Sequence, residues 1–460
     1  MDRLTLNLAL RFDALQTSFP EQTVGPTLLL PNRNISLPAA DNLDWRDISY
    51  RTGFAYDVDG NGKTAIKVAF NKYLLGQTLN TIGRDPNPVL ALAQSANRSW
   101  TDANRDYIPQ CDLQNPLANG ECGQRSDLSF GTIRPGELYD KDLTTGWGHR
   151  PANWEFSVGV QRELLPRVAL DVGYFRRIWK NFQVTDNLLV GPEDFTQFSM
   201  TVPTDSRLST SGQTLSGLYN VVPAKFGQVQ NLNTLSDKYG KQIDHWNGFD
   251  IGINARLENG LVLQGGVSSG KQVEDNCEVV AKLPEMLNLT AAVVGAANSG
   301  ATGGNAAPAQ WRPLEFCHRE QPMLTGAKLL AIYTIPKVDV QLSGSFRSTP
   351  GTSLTAAFTA TNAYLTANST LGRPLSGGAA NTVIGIEEVH KVYTDRREEL
   401  DLRIGKMLRF GKTRTVPAVD VYNALNSGAT ITENQAYASW LQPTQILSPR
   451  LIKFSVAFDF

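Results

Sequence analysis

Apolar and polar residues alternate with a period of two at both ends of the chain. Leu4, Leu6, Leu8, Leu10 and Phe12 interleave with Arg3, Thr5, Asn7, Ala9 and Arg11, and Ile452, Phe454, Val456, Phe458 and Phe460 interleave with Lys453, Ser455, Ala457 and Asp459. Successive side chains of a strand point to opposite faces, so each segment predicts a strand with one apolar and one polar face. The pattern returns at Trp154, Phe156, Val158 and Val160, at Val168, Leu170, Val172 and Tyr174, and at Phe249, Ile251, Ile253 and Leu257. It returns again at Val338, Val340, Leu342 and Phe346, and at Leu402, Ile404, Leu408 and Phe410. About twelve such strands are expected, of about the ten residues a tilted strand needs to cross a bilayer. A soluble β-sandwich alternates in the same way, so the connections decide the class.

Short turns rich in Gly, Pro or Asp are predicted at Asp57 to Gly62, Glu163 to Pro166, Glu258 to Gly260, near Pro336, and at Gly411 to Thr413. Long connections are predicted from Ala14 to Leu43, Leu75 to Ala152, Lys180 to Ile243, Gln272 to Pro322, Ser348 to Glu398 and Asn426 to Ser448. Short and long alternate throughout. A sandwich has no reason to keep its long loops at one end, whereas outer-membrane barrels have short periplasmic turns and long extracellular loops. The expected fold is therefore all-β, an antiparallel transmembrane β-barrel in a bacterial outer membrane.

Composition changes this picture little. No run of 18 apolar residues offers a membrane-spanning helix. A mean hydropathy of -0.24 is unremarkable for strands that face lipid on one side and a polar lumen on the other. With 43 basic and 44 acidic residues the net charge is -1, and no bulk field draws nucleic acid. The first residues alternate without a charged segment followed by an apolar one, so an exported protein that starts here is expected to have lost its leader. The Ala-, Gly- and Asn-rich stretch 291–309 reads as loop.

The four cysteines fall in pairs inside two long connections, Cys111 with Cys122 and Cys277 with Cys317. Three pairings are open to four cysteines, and four separate buried thiols are the alternative. Disulfides inside each loop are the expectation, given an oxidising compartment. Trp147, Trp154, Tyr174, Trp179, Phe182 and Trp440 lie near predicted strand ends, where aromatic rings suit the membrane interface or pack between loops. Arg256, Arg347, Arg403 and Asp401 fall on polar faces, to line a path or to pair with one another.

Several short motifs carry chemistry elsewhere. Gly266-Val267-Ser268-Ser269-Gly270 matches a nucleophile elbow, but no helix follows and His149, His245, His318 and His390 are dispersed. Gly62-Lys63-Thr64 lacks the earlier glycine of a phosphate loop, since Asp57 stands there. Asp57-Val58-Asp59-Gly60-Asn61-Gly62 begins like a calcium loop, yet its twelfth position is Val68, and Asn61-Gly62 suits a tight hairpin. Cys317-His318 has no second closely spaced ligand pair for zinc. No catalytic, cofactor-binding or metal-binding residues are expected, and ligand-binding residues are not readable.

The closing residues 453–460 resemble the outer-membrane assembly signal, with Lys453, Phe458 and Phe460 in place and Ser455 where glycine is usual. Asp420-Val421-Tyr422-Asn423-Ala424-Leu425-Asn426-Ser427, with Trp440, Pro443 and residues 446–450, resembles the final hairpin of TonB-dependent receptors. Residues 60–67 and 372–378 are similar to the Oar-like group of these barrels. The resemblance implies ligand capture by extracellular loops and uptake through a plugged barrel of roughly 22 strands. Residues 1–460 would then be the C-terminal part of one barrel domain, with the plug and the first strands absent. The implied partners are outer-membrane lipid, the barrel assembly machinery, an unidentified small or polymeric ligand and, through the missing N-terminal region, the TonB energy-coupling complex. Two alternatives compete: a surface scaffold or adhesin-like barrel without transport, and a small passive pore closed by pairing Arg3–Phe12 with Arg450–Phe460.

Overall fold

A computed structural model describes residues 3–78, 81–125, 127–134, 137–288, 310–411 and 413–459. The stretch 291–309 and Phe460 lie outside the described residues. Twelve strands lie side by side in chain order: β1 (Leu4–Phe19), β2 (Ala40–Asp57), β3 (Thr64–Leu74), β4 (Ala152–Leu165), β5 (Val168–Lys180), β6 (Ile243–Arg256), β7 (Leu261–Asp275), β8 (Leu324–Ile335), β9 (Val340–Thr349), β10 (Arg397–Lys406, continued by Leu408–Phe410), β11 (Thr413–Tyr422) and β12 (Leu451–Asp459). Every neighbouring pair of these is antiparallel.

Register turns the alternation into two continuous surfaces. Leu6 faces Phe54, Phe54 faces Val68 and Val68 faces Val158, while further along the sheet Ile404 faces Val419 and Val419 faces Phe454. One face is thus an apolar belt, and its residues, Leu10 and Phe454 among them, are exposed as a lipid-facing surface requires. The other face carries Arg51, Asp171, Asp250, Lys328, Arg403 and Asp420, and it lines the lumen.

Every short connection lies at one end of the sheet and every long one at the other. The first long connection is shorter than the alternation predicts. β1 continues to Phe19 and β2 begins at Ala40, because Leu15, above the lipid belt, still packs against the buried Leu43–Trp45 cluster. The Asp57–Gly62 segment is a tight turn in which the Asp57 carboxylate accepts the amides of Gly60 (2.9 Å) and Gly62 (2.7 Å). Its oxygens are taken by the backbone, as a hairpin requires.

The sheet is open. Among the described residues β1 pairs only with β2 and β12 only with β11, so Arg3–Phe12 and the final strand do not meet. The self-closed pore expected as one alternative is not formed. In lipid, two unpaired strand edges leave amides and carbonyls without partners, which is costly unless another chain segment covers them.

The hydrophobic core sits in the loops rather than between strands. Phe198, Met200 and Leu218 from the 181–242 loop, Phe316 from 276–323, Leu365, Ile384 and Ile386 from 350–396, and Trp440 from 423–450 form one buried cluster. A second cluster joins Val184 to Val280, Met286 and Leu287. Four loops therefore fold together into a cap over the extracellular end, held as a soluble domain is held.

Candidate functional site

Two parts of the molecule can meet a solute: the cap and the lumen face below it. Both disulfides belong to the cap side. Cys111 is bonded to Cys122 with Cα atoms 5.8 Å apart, and Cys277 to Cys317 with Cα atoms 4.9 Å apart. The second closes a 40-residue span and leaves Cys317 no thiolate for zinc. Replacing Cys277 and Cys317 by serine is expected to weaken cap closure by about 2–4 kcal/mol. Faster cleavage of the 276–323 loop by added protease, with the barrel intact, would show it.

Sequence reasoning left the cap unread, and the structure shows what builds it. Arg373, in the Gly372–Gly378 segment, donates to Asn220 Oδ1 (2.7 Å), Thr196 Oγ1 (3.0 Å) and the Val221 carbonyl (3.1 Å), tying the 350–396 loop to the 181–242 loop. The buried Glu387 carboxylate accepts the Ser209 amide at 2.8 Å and the Ser209 hydroxyl. Of the two readings open for Trp440, a membrane-interface ring or packing between loops, the structure shows the second. Trp440 is 1% exposed, and its indole N–H donates to the Thr355 carbonyl at 3.0 Å in the cap core. Among the other aromatics, Trp147 is exposed and stacks near Phe12, Trp154 meets Phe70 on the lipid face, and Trp179 lies under the Arg177 guanidinium on the lumen face. Phe182 is half-buried, and Tyr174 donates to Asn247 at 3.0 Å.

Glu285 joins two loops of the cap, its carboxylate accepting the Asn187 amide at 3.1 Å. Burial pushes this carboxyl up to about 7, and Asp186 nearby adds to the effect. An acid whose folded pKa is raised gives its full stability only below the unfolded value near 4.5, and loses it as pH rises through about 7. Protease resistance of the cap is therefore expected to fall between pH 5 and pH 8, and the decline should flatten in Glu285→Gln. An unchanged pH profile in the variant would contradict this assignment.

The polar residues of the final hairpin are structural. Arg403 pairs with Asp420 at 2.8 Å, Asp401 accepts the Asn423 amide at 2.8 Å, and Asn423 donates to the carbonyls of Ser427 (2.9 Å) and Ser448 (2.8 Å). Lys453 stands opposite Asp420, Ser455 opposite Ala418 and Phe458 opposite Thr415 in β12. The Gly266–Gly270 segment lies inside β7, and the Ser269 hydroxyl bonds to that of Thr325 at 2.7 Å. His318 approaches Asp275 at 3.0 Å and His149 the Thr145 carbonyl at 2.8 Å. Among the described residues no group of three or more His, Cys, Asp or Glu is placed to hold a metal ion. The acidic run 102–121 uses its carboxylates on the backbone: Asp102 accepts the Tyr107 amide, Asp106 that of Ile108, and Glu121 those of Ala103 and Gln110.

The lumen face has a depression of about 1130 Å³ across β4 to β9. Its floor is glycine: Gly159 faces Gly173, Gly252 faces Gly266, and Gly248 faces Gly270. Asp171, Asp250, Lys328 and Arg347 stand around it, with Arg347 opposite Lys328. Arg256 lies further toward the turns at the end of β6.

Residues 1–276 match the family model described as an outer membrane beta barrel domain. The chain belongs to this family. Its place is the bacterial outer membrane, and the antiparallel sheet with its apolar belt is the wall of an outer-membrane barrel. No curated protein matches the chain. Solved structures similar to this outer-membrane barrel include the outer membrane transporter YddB from Escherichia coli, at 12% identity and TM-score 0.42, covering 91% of this chain and 41% of that one. Others are the ferric-catecholate import receptor Fiu from E. coli K12 (11%, TM-score 0.44, 100% and 42%) and the ferripyoverdine receptor of Pseudomonas aeruginosa (10%, TM-score 0.43, 99% and 36%). The chain spans about two fifths of the length of these structures.

Proposed function

We propose that this chain is the C-terminal wall of a larger barrel of the TonB-dependent receptor type, which takes up a ligand caught by the extracellular cap. The observation that carries the reading is the open sheet, whose twelve strands end in two unpaired edges, β1 and β12. Further strands between those edges would complete a barrel wide enough for a plug, with roughly 22 strands in all. The resemblance of residues 420–427 and 446–450 to the final hairpin of these receptors, with Oar-like segments at 60–67 and 372–378, supports the same reading. On this reading residues 453–460 direct the strands to the barrel assembly machinery, and the energy-coupling complex acts on a region outside this chain. Transport rather than catalysis is the role.

The test is uptake by intact cells, from a panel of iron chelates, vitamins, saccharides and peptides, with and without the inner-membrane proton gradient. Gradient-dependent accumulation that requires this protein is the expected result. Entry that persists after the gradient is collapsed would indicate a passive pore. Surface adhesion without uptake of any panel member would support the scaffold alternative.

A further inference from the structure

From the lipid-facing side of the wall we infer a binding site for a lipid that carries a phosphate monoester, at the extracellular rim of β5 to β7. The inference goes beyond the transport reading and needs only that the apolar belt meets membrane lipid.

The case begins with register. Leu8, Thr52, Phe70, Phe156, Arg176, Asn247 and Lys271 form one row across β1 to β7. The row lies two residues nearer the extracellular end than the belt row of Val158, Tyr174 and Phe249, and by alternation it faces the same way. Its first four members are uncharged, as the rim of a lipid-facing belt normally is. Its last three are cationic or polar, so the rim changes character over β5 to β7. The belt itself does not change there. Val172, Phe249, Ile251 and Val267 are exposed on the same face directly beneath.

The three polar side chains are arranged to donate. Tyr174 and Arg176 both donate to Asn247 Oδ1, at 3.0 and 3.1 Å, and the Asn247 amide nitrogen donates to nothing among the described residues, which leaves two N–H groups for a ligand. Among the described residues Arg176 forms no ion pair. Lys271 is paired with Glu320, which stands opposite Val273 one row further out. Asp275, two rows out, is taken by His318, while Glu155, Asp244 and Glu274 fall on the lumen face by alternation. Two cations against one carboxylate leave the row one positive charge in excess. Arg176 and Lys271 stand two strand spacings apart, about 10 Å, with Asn247 between them. A phosphate bridges that gap, because its oxygens accept from a guanidinium, an amide and an ammonium together and its charge balances the row. The acyl chains of the same molecule then lie down the exposed belt, a contact that free phosphate does not make.

The test uses the protein as cells assemble it, extracted from outer membranes in a nonionic detergent with its heat-modifiable mobility retained, and native mass spectrometry to count bound lipid. The probes are dioleoyl phosphatidic acid, dioleoyl phosphatidylcholine and soluble glycerol phosphate. Phosphatidic acid is expected to bind about five- to tenfold more tightly than phosphatidylcholine, the effect of one uncompensated cation at a lipid surface. Arg176→Gln with Lys271→Gln should erase the preference. Lys63→Gln with Lys282→Gln removes the same charge at exposed positions outside the row and should leave it intact. Asn247→Asp keeps the acceptor for Tyr174 and Arg176 but replaces the free donors by a negative charge, so it should erase the preference without a change of shape. Equal binding of the two lipids by the folded parent overturns the inference. So does a preference that survives Asn247→Asp, or one that is lost just as fully in the Lys63 and Lys282 variant. Displacement of the lipid by equimolar glycerol phosphate overturns it too, because the belt would then contribute nothing. None of these outcomes reads uptake, so a failure of gradient-driven transport would leave them unchanged.

Discussion

Replacing Trp440 by alanine is expected to open the extracellular cap while the barrel wall stays folded. The ring is fully buried among residues from four loops, its N–H is bonded to Thr355, and its own carbonyl accepts from Arg207 at 3.0 Å. Deleting a buried tryptophan costs about 3–5 kcal/mol, because transfer and cavity terms add. Local opening of that size raises the exposed fraction by about two to four orders of magnitude. Limited proteolysis of intact outer membranes should cut the 181–242 and 350–396 loops far faster, with unchanged heat-modifiable mobility. Equal cleavage rates in parent and variant would show that the cap is not held by this core.

The second large effect concerns the buried ion pair at the foot of the cap. Arg319, in the short strand His318–Glu320 laid against the end of β7, donates to Glu274 at 3.0 Å from both Nε and Nη2. The two side chains are 8% and 5% exposed, so removing either one leaves a charge in a poorly solvated place. Arg319→Met or Glu274→Met alone is expected to cost about 3–5 kcal/mol, and the double replacement much less than the sum. Thermal inactivation of ligand-independent folding markers, read for all four proteins, gives the coupling. Additive single effects would mean that the pair contributes nothing as a pair.

The barrel was legible because each lipid-crossing strand needs only a local rule. Leu4 to Phe12 and Ile452 to Phe458 state their two faces residue by residue, and register follows from matching those faces. The cap was not legible for the opposite reason. Met200, Ile384 and Trp440 sit in segments without period, and each is buried only by partners far away in the chain. The same cause left Trp440 open between membrane interface and loop packing, since an aromatic near a strand end reads alike whether it meets headgroups or another loop. The depression was hidden differently. Gly252 and Gly266 look like weak points in their own strands, and only register makes them neighbours.

The cap core also imposes an order on assembly. Its members run from Phe198 in the 181–242 loop to Trp440 in the connection before β12, so the cluster is complete only when the last hairpin has arrived. Contacts with such long sequence separation form late, because the intervening chain must first be ordered. A barrel that stalls before β12 would therefore display unburied Phe198, Met200 and Ile384 at the cell surface. The finished cap is a readable sign, available to any protease outside the cell, that the wall beneath it has been laid down to its final strand.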